Sequence, residues 1–154
     1  MRAIPRSQTF YAYVMNNYWH TNYKADQDGP VGFRFGIVPH GVFRADEAAR
    51  EGAAARAPLL VAAAAGAAPP ASPLVTVAPA AVLVTDLRGG ADGRSWRVQL
   101  YNPTARVQRA MLRWRGGMRV ALTGSDGDGR PLAPFRGALD LPAYGTAIVT
   151  AVRR

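Results

Sequence analysis

The densest set of side chains able to hold a ligand is the run Asn16-Asn-Tyr-Trp-His-Thr-Asn22. An Asn amide offers both donors and an acceptor, and Tyr or Trp faces stack on sugar rings, so this mixture suits carbohydrate recognition. Asn16, Asn17, Trp19 and Asn22 are therefore the candidate carbohydrate contacts. A second reading of the same residues is structural, with the amides satisfying backbone groups at a bulge or domain junction and Trp19 filling a core. Both readings stand at the level of residue type.

Other chemistry is poorly supplied. His20 and His40 are the only histidines and have no carboxylate cluster near them in sequence, so no metal-ligand spacing is present. The Asp126-Gly-Asp-Gly129 stretch lacks the further ligands of a calcium loop and reads as a solvated turn. Ser7, Ser72, Ser95 and Ser125 lie in loop-like contexts, none of them a nucleophile elbow. Glu47 and Glu51, the only glutamates, sit one helical turn apart, not across a cleft as glycosidic cleavage requires. There is no cysteine, which removes disulfides, thiolate metal sites and thiol nucleophiles. No catalytic residue, metal ligand or cofactor is assigned to this chain.

The net charge of +9 raises nucleic-acid binding as an alternative. Lys24 is the only lysine, however, and arginines such as Arg34, Arg44, Arg50, Arg56, Arg88, Arg94, Arg97 and Arg106 are scattered singly. That spread favours solvated surface charge. The first residues are polar and aromatic and do not form a signal peptide. The apolar run after Pro58 falls short of the roughly 20 residues a spanning helix needs. These features favour a soluble, cytoplasmic chain with no membrane partner.

The elements that must position these residues divide the chain of 154 residues in three. Residues 1–43 read as terminal strands of a larger β-sandwich: residues 10–15 are aromatic-rich, and Val31, Phe33, Phe35 and Ile37 alternate with Gly32, Arg34, Gly36 and Val38. Asp28-Gly-Pro30 between them supplies turn chemistry. Residues 44–73 read as a short helix, with Asp46 as its N-cap, and an Ala/Pro-rich linker. Residues 74–154 read as a small antiparallel sandwich. Apolar runs at 74–78, 81–87, 96–101, 107–114, 118–122, 139–141 and 147–152 alternate with Gly, Asp, Asn or Pro turn signals. In the third run Trp96, Val98 and Leu100 face one way and Arg97 and Gln99 the other, so one sheet face is wet.

The run Tyr13-Val-Met-Asn-Asn-Tyr-Trp-His-Thr-Asn-Tyr-Lys24, with Gln27, Gly29, Phe33-Arg-Phe35 and Pro39-His40, resembles the C-terminal β-region of family 38 glycoside hydrolases, the α-mannosidase type. Val82-Leu-Val-Thr-Asp-Leu-Arg88 and Val98-Gln-Leu-Tyr-Asn-Pro-Thr104 resemble strands of the terminal sandwich of that family. The likeness covers roughly residues 10–152, and its Asn-Asn-Tyr-Trp-His-Thr-Asn core is the specific part. It implies an all-β fold: the last strands of a mutarotase-like supersandwich, one short helix, then a small immunoglobulin-like sandwich. It also implies a parent enzyme with an aspartate nucleophile and a divalent metal, usually zinc, in an α/β catalytic domain.

No stretch of this chain matches those catalytic groups, so none is carried over. The expectation is a non-catalytic C-terminal β-domain, inactive alone, that partners the α/β catalytic domain and contacts oligosaccharide. A stand-alone carbohydrate-binding β-sandwich is the alternative. Unpaired strands in residues 10–38 would further promote self-association.

Overall fold

In a computed structural model of the chain, residues 7–15, 28–57, 66, 72–126, 128, 130–133 and 135–154 are described. The chain divides into two units, Met1–Pro39 and His40–Arg154.

In the first unit the described residues form no strand, and the side chains of residues 10–15 and 31–38 are exposed. The expected strands at 10–15 and 31–38 are thus not formed. The physical reason lies in the same residues. A two-stranded pair is marginal in water without a third strand or a covering layer. Here Gly32 and Gly36 add no side chains to pack, and Pro30 and Pro39 donate no ladder bonds.

The second unit opens with α1, Ala45–Arg56. Its N-cap is Arg44, in extended conformation and without a side-chain cap, and not Asp46 as the sequence suggested. The Arg44 carbonyl already accepts the first helical bond from Ala48 N at 3.0 Å, which places Asp46 inside the first turn. There Asp46 and Glu47 suit the positive end of the helix dipole, and both pair with Arg44, at 3.1 and 2.9 Å. The hydrogen bond from Arg44 holds the Asp46 carboxyl below its ordinary value. Arg50 on the same helix donates to the Ala80 carbonyl, tying α1 to the sandwich.

Seven strands follow: β1 Val75–Ala78, β2 Leu83–Gly89, β3 Ser95–Tyr101, β4 Gln108–Trp114, β5 Val120–Asp126, β6 Ala138–Leu141 and β7 Thr146–Arg153. Every one overlaps an apolar run read from the sequence. They form two antiparallel sheets, β1-β4-β6 and β2-β3-β7-β5. Among the described residues the protein is therefore mostly β, an antiparallel sandwich with one short α-helix. It shares the two-layer architecture of immunoglobulin-like domains, with its own strand order.

Period-two patterning explains the layering. Along β3, Val98 and Leu100 are buried while Arg97 is exposed; along β7, Ala147, Val149 and Ala151 are buried. They meet Ala110, Leu112 and Trp114 of β4 and Leu139 and Leu141 of β6 in one core. Each fully buried Val or Leu contributes roughly 1.5–3 kcal/mol relative to exposure. Trp96 of β3 and Trp114 of β4 join the two sheets, their rings 5.4 Å apart and tilted by 42°.

Turn chemistry closes the layers as the sequence indicated. In the β2–β3 hairpin, Asp92 Oδ1 accepts from Arg94 N, Ser95 N and Ser95 Oγ at 3.0, 2.9 and 2.8 Å. At the end of β5, Asp126 Oδ1 accepts from Asp128 N at 3.0 Å and Arg130 N at 2.8 Å, so this acidic stretch organises a turn. Gly124 on β5 lets Phe135 and Leu132 lie across the strand. A Cβ there would sit 3.1 Å from the Phe135 ring and 3.2 Å from Leu132 Cδ1.

Candidate functional site

The candidate contacts Asn16, Asn17, Trp19 and Asn22, and His20 between them, lie outside the described residues. His40 is exposed; its Nδ1 lies 3.0 Å from the Gly41 carbonyl and its ring meets Phe43 edge-on at 6.3 Å. Among the described residues no group of three or more His, Cys, Asp or Glu side chains could hold a metal ion. None of their helices is long and apolar enough to cross a membrane.

Tyr101-Asn-Pro-Thr104 proves to be a structural clasp. Asn102 is fully buried. Its Nδ2 donates to the Arg106 and Pro142 carbonyls, both at 2.7 Å, with Leu141 O a longer third acceptor at 3.3 Å. An amide nitrogen has two hydrogens, so the two short bonds carry the interaction. Asn102 Oδ1 accepts from Thr104 N at 3.0 Å and Thr104 Oγ1 at 2.7 Å. One side chain thus links the end of β3 in one sheet to the end of β6 in the other. Beside it Tyr144 donates its N–H to Thr104 O at 3.1 Å from a left-handed backbone, φ 56°.

The opposite end of the sandwich is built differently. Register there follows from pairing: Val120 opposes Arg153, and Arg154 N donates to Arg119 O at 3.1 Å, so Arg119 and Arg154 lie together. The Gly137 carbonyl accepts from Leu112 N at 2.7 Å, which brings Arg136 to the same end. These three arginines rim a cleft of about 860 Å³ whose apolar wall includes Leu112, Trp114, Met118, Leu122 and Phe135. No Asp or Glu lines it among the described residues. The Trp114 indole N–H is buried without a hydrogen-bond partner among the described residues.

Sequence reasoning missed this cleft. Arg119, Arg136 and Arg154 are far apart in the chain and looked like scattered surface charge. The available signal was positional: Arg119 immediately precedes β5, Arg136 lies just before β6, and Arg154 ends the chain after β7. Only the strand order turns those positions into one rim.

Fold and sites together define an antiparallel β-sandwich module, clasped at one end by a buried Asn and open at the other as a basic cleft. No protein-family model, curated protein or solved structure matches the chain.

Proposed function

We propose that the chain is a non-catalytic C-terminal β-domain of an α-mannosidase-like glycoside hydrolase, supporting an α/β catalytic domain and contributing oligosaccharide contacts from Asn16, Asn17, Trp19 and Asn22. The observation that carries the reading is the Asn16-Asn-Tyr-Trp-His-Thr-Asn22 motif together with the later Tyr101-Asn-Pro-Thr104. Consistent with a supporting role, the second of these motifs is spent on joining two sheets. The divalent metal of such an enzyme would be held by its catalytic domain, with this chain supplying no ligand to it.

Two measurements test this. The coding sequence adjoining this one is expected to specify an α/β catalytic region of the α-mannosidase type, and that region is expected to co-purify with the full chain and hydrolyse an aryl α-mannoside. The full chain alone is expected to be inactive on the same substrate. Metal-dependent hydrolysis by the purified chain would refute the reading, as would failure to associate with that catalytic region. Manno-oligosaccharide binding by the chain alone, abolished by Trp19→Ala, would instead favour a stand-alone binding module.

A further inference from the structure

We propose that the open end of the sandwich, between β5 and the segment leading into β6, is a binding site for an oxyanion carried on an apolar body. The inference rests on this cleft alone and is independent of the glycosidase reading.

Three observations converge on it. Arg119, Arg136 and Arg154 rim one cavity, and none of their side chains has a hydrogen-bond or ion-pair partner among the described residues. Three arginines elsewhere in the sandwich are engaged: Arg88 pairs with Asp86 at 2.8 Å, Arg130 with Asp128 at 3.3 Å, and Arg115 donates to Ser72 O at 3.0 Å. Backbone register thus sets three arginines beside one cleft that no Asp or Glu lines among the described residues, and an entering anion would supply their counter-charge. Guanidinium forks match the planar or tetrahedral oxygens of carboxylate, sulfonate and phosphate groups.

The wall gives the second half of the ligand. Met118, Leu122 and Phe135 offer apolar surface beside the charges, and the volume of about 860 Å³ lies in the range of small-molecule sites. A bare inorganic ion would leave that surface wet. A neutral hydrocarbon would leave the guanidiniums without a counter-charge. An amphipathic anion satisfies both.

The test uses the full chain labelled with nitrogen-15. Of its three tryptophan indole signals, that of Trp114 is assigned by its loss in Trp114→Phe. Titration with 2-naphthalenesulfonate is expected to shift the Trp114 signal saturably, and added salt is expected to weaken binding. The neutral 2-naphthylmethanol and inorganic sulfate are each expected to bind at least ten-fold more weakly. Parallel titrations with 2-naphthoate and 2-naphthyl phosphate then separate a carboxylate ligand from a phosphate ligand.

Arg119→Gln combined with Arg136→Gln is expected to weaken sulfonate binding ten-fold or more while the folded spectrum persists; Arg136→Gln alone serves if the double variant does not fold. Equal binding of the neutral analogue, equal binding by the variant, or no shift with any of the anions would overturn the proposal.

Discussion

Replacing Asn102 by Ala tests whether one buried amide holds the two sheets together at the clasped end. The substitution removes two 2.7 Å donor bonds, to Arg106 O and Pro142 O, and the acceptor of Thr104 N and Thr104 Oγ1. Some partners keep a second bond: Pro142 O still receives Gly145 N at 3.0 Å, and Thr104 Oγ1 still reaches Arg106 O at 3.2 Å. Thr104 N does not, and becomes an unpaired donor. Two net hydrogen bonds at about 1 kcal/mol each, plus one unsatisfied donor at about 1–3 kcal/mol, give a loss of roughly 3–5 kcal/mol. Against a total of about 5–15 kcal/mol for a small domain, that is a large share.

With an unfolding entropy near 2.1 cal/mol/K per residue over about 80 residues, the same loss lowers Tm by roughly 18–30 °C. Urea unfolding followed by tryptophan fluorescence reads the change directly, because the Trp96–Trp114 pair sits between the sheets. The midpoint should fall with the slope unchanged. Asn102→Asp adds a sharper test. A carboxylate there keeps the acceptor half but faces carbonyl oxygens in a buried site, so its folded-state pKa is raised and its penalty is greatest at neutral pH. Acidification through that raised value relieves the penalty. A loss below about 1 kcal/mol for Asn102→Ala would show that the clasp is not structural.

Tyr144→Gly is expected to stabilise by roughly 0.5–1 kcal/mol, because a left-handed backbone disfavours a Cβ and the exposed ring (64%) has little packing to lose; an unchanged or lower Tm would contradict this. Asp92 has its carboxyl held below the ordinary value, first by the Arg94 N–H and then by the Ser95 hydroxyl. The stability it adds is present above the unfolded-state pKa and lost as pH falls through the folded one, so Asp92→Asn should lower Tm near pH 7, and its difference from the parent chain should shrink as the pH is lowered. Phe35 and Ile37 are 63% and 80% exposed, and apolar side chains so placed promote association. Light scattering should show mass rising with concentration and reduced in Phe35→Ser/Ile37→Lys, whereas a monomer at all concentrations would remove the idea.

How much of this was legible in the sequence depended on the range of the interaction. The seven strands were legible because alternation along β3, β4 and β7 is local, and because turns such as Asp92-Gly93 and Asp126–Arg130 are closed by their own carboxylates. The α1 cap misled because an Asp near a helix start serves equally well inside the first turn, when the preceding Arg44 carbonyl already begins the helical ladder. Strands at 10–15 and 31–38 misled for a related reason. Alternation states which face a strand would bury, but the partner that makes it a strand is not written in those residues. Asn102 was recognisable as part of a motif, yet the Leu141 and Pro142 carbonyls that accept from it lie 39 and 40 residues away.

The two ends of the sandwich follow from a single set of registers. Pairing of Tyr101 with Thr146 and of Gln108 with Leu141 places the end of β3, the starts of β4 and β7 and the end of β6 together, and a buried amide closes that end. The same pairings run the other way to Ser95 opposite Val152 and Val120 opposite Arg153, so the other end collects the last residues of β4 and β7 and the first of β5. Hydrogen bonds to carbonyls are plentiful at the first end, whereas the second holds a cleft lined by three arginines beside an apolar wall, with no Asp or Glu in its lining among the described residues. A net charge of +9 spread evenly would matter only to solubility. Antiparallel register concentrates part of it at one mouth, where cations beside apolar surface become a condition for selective binding.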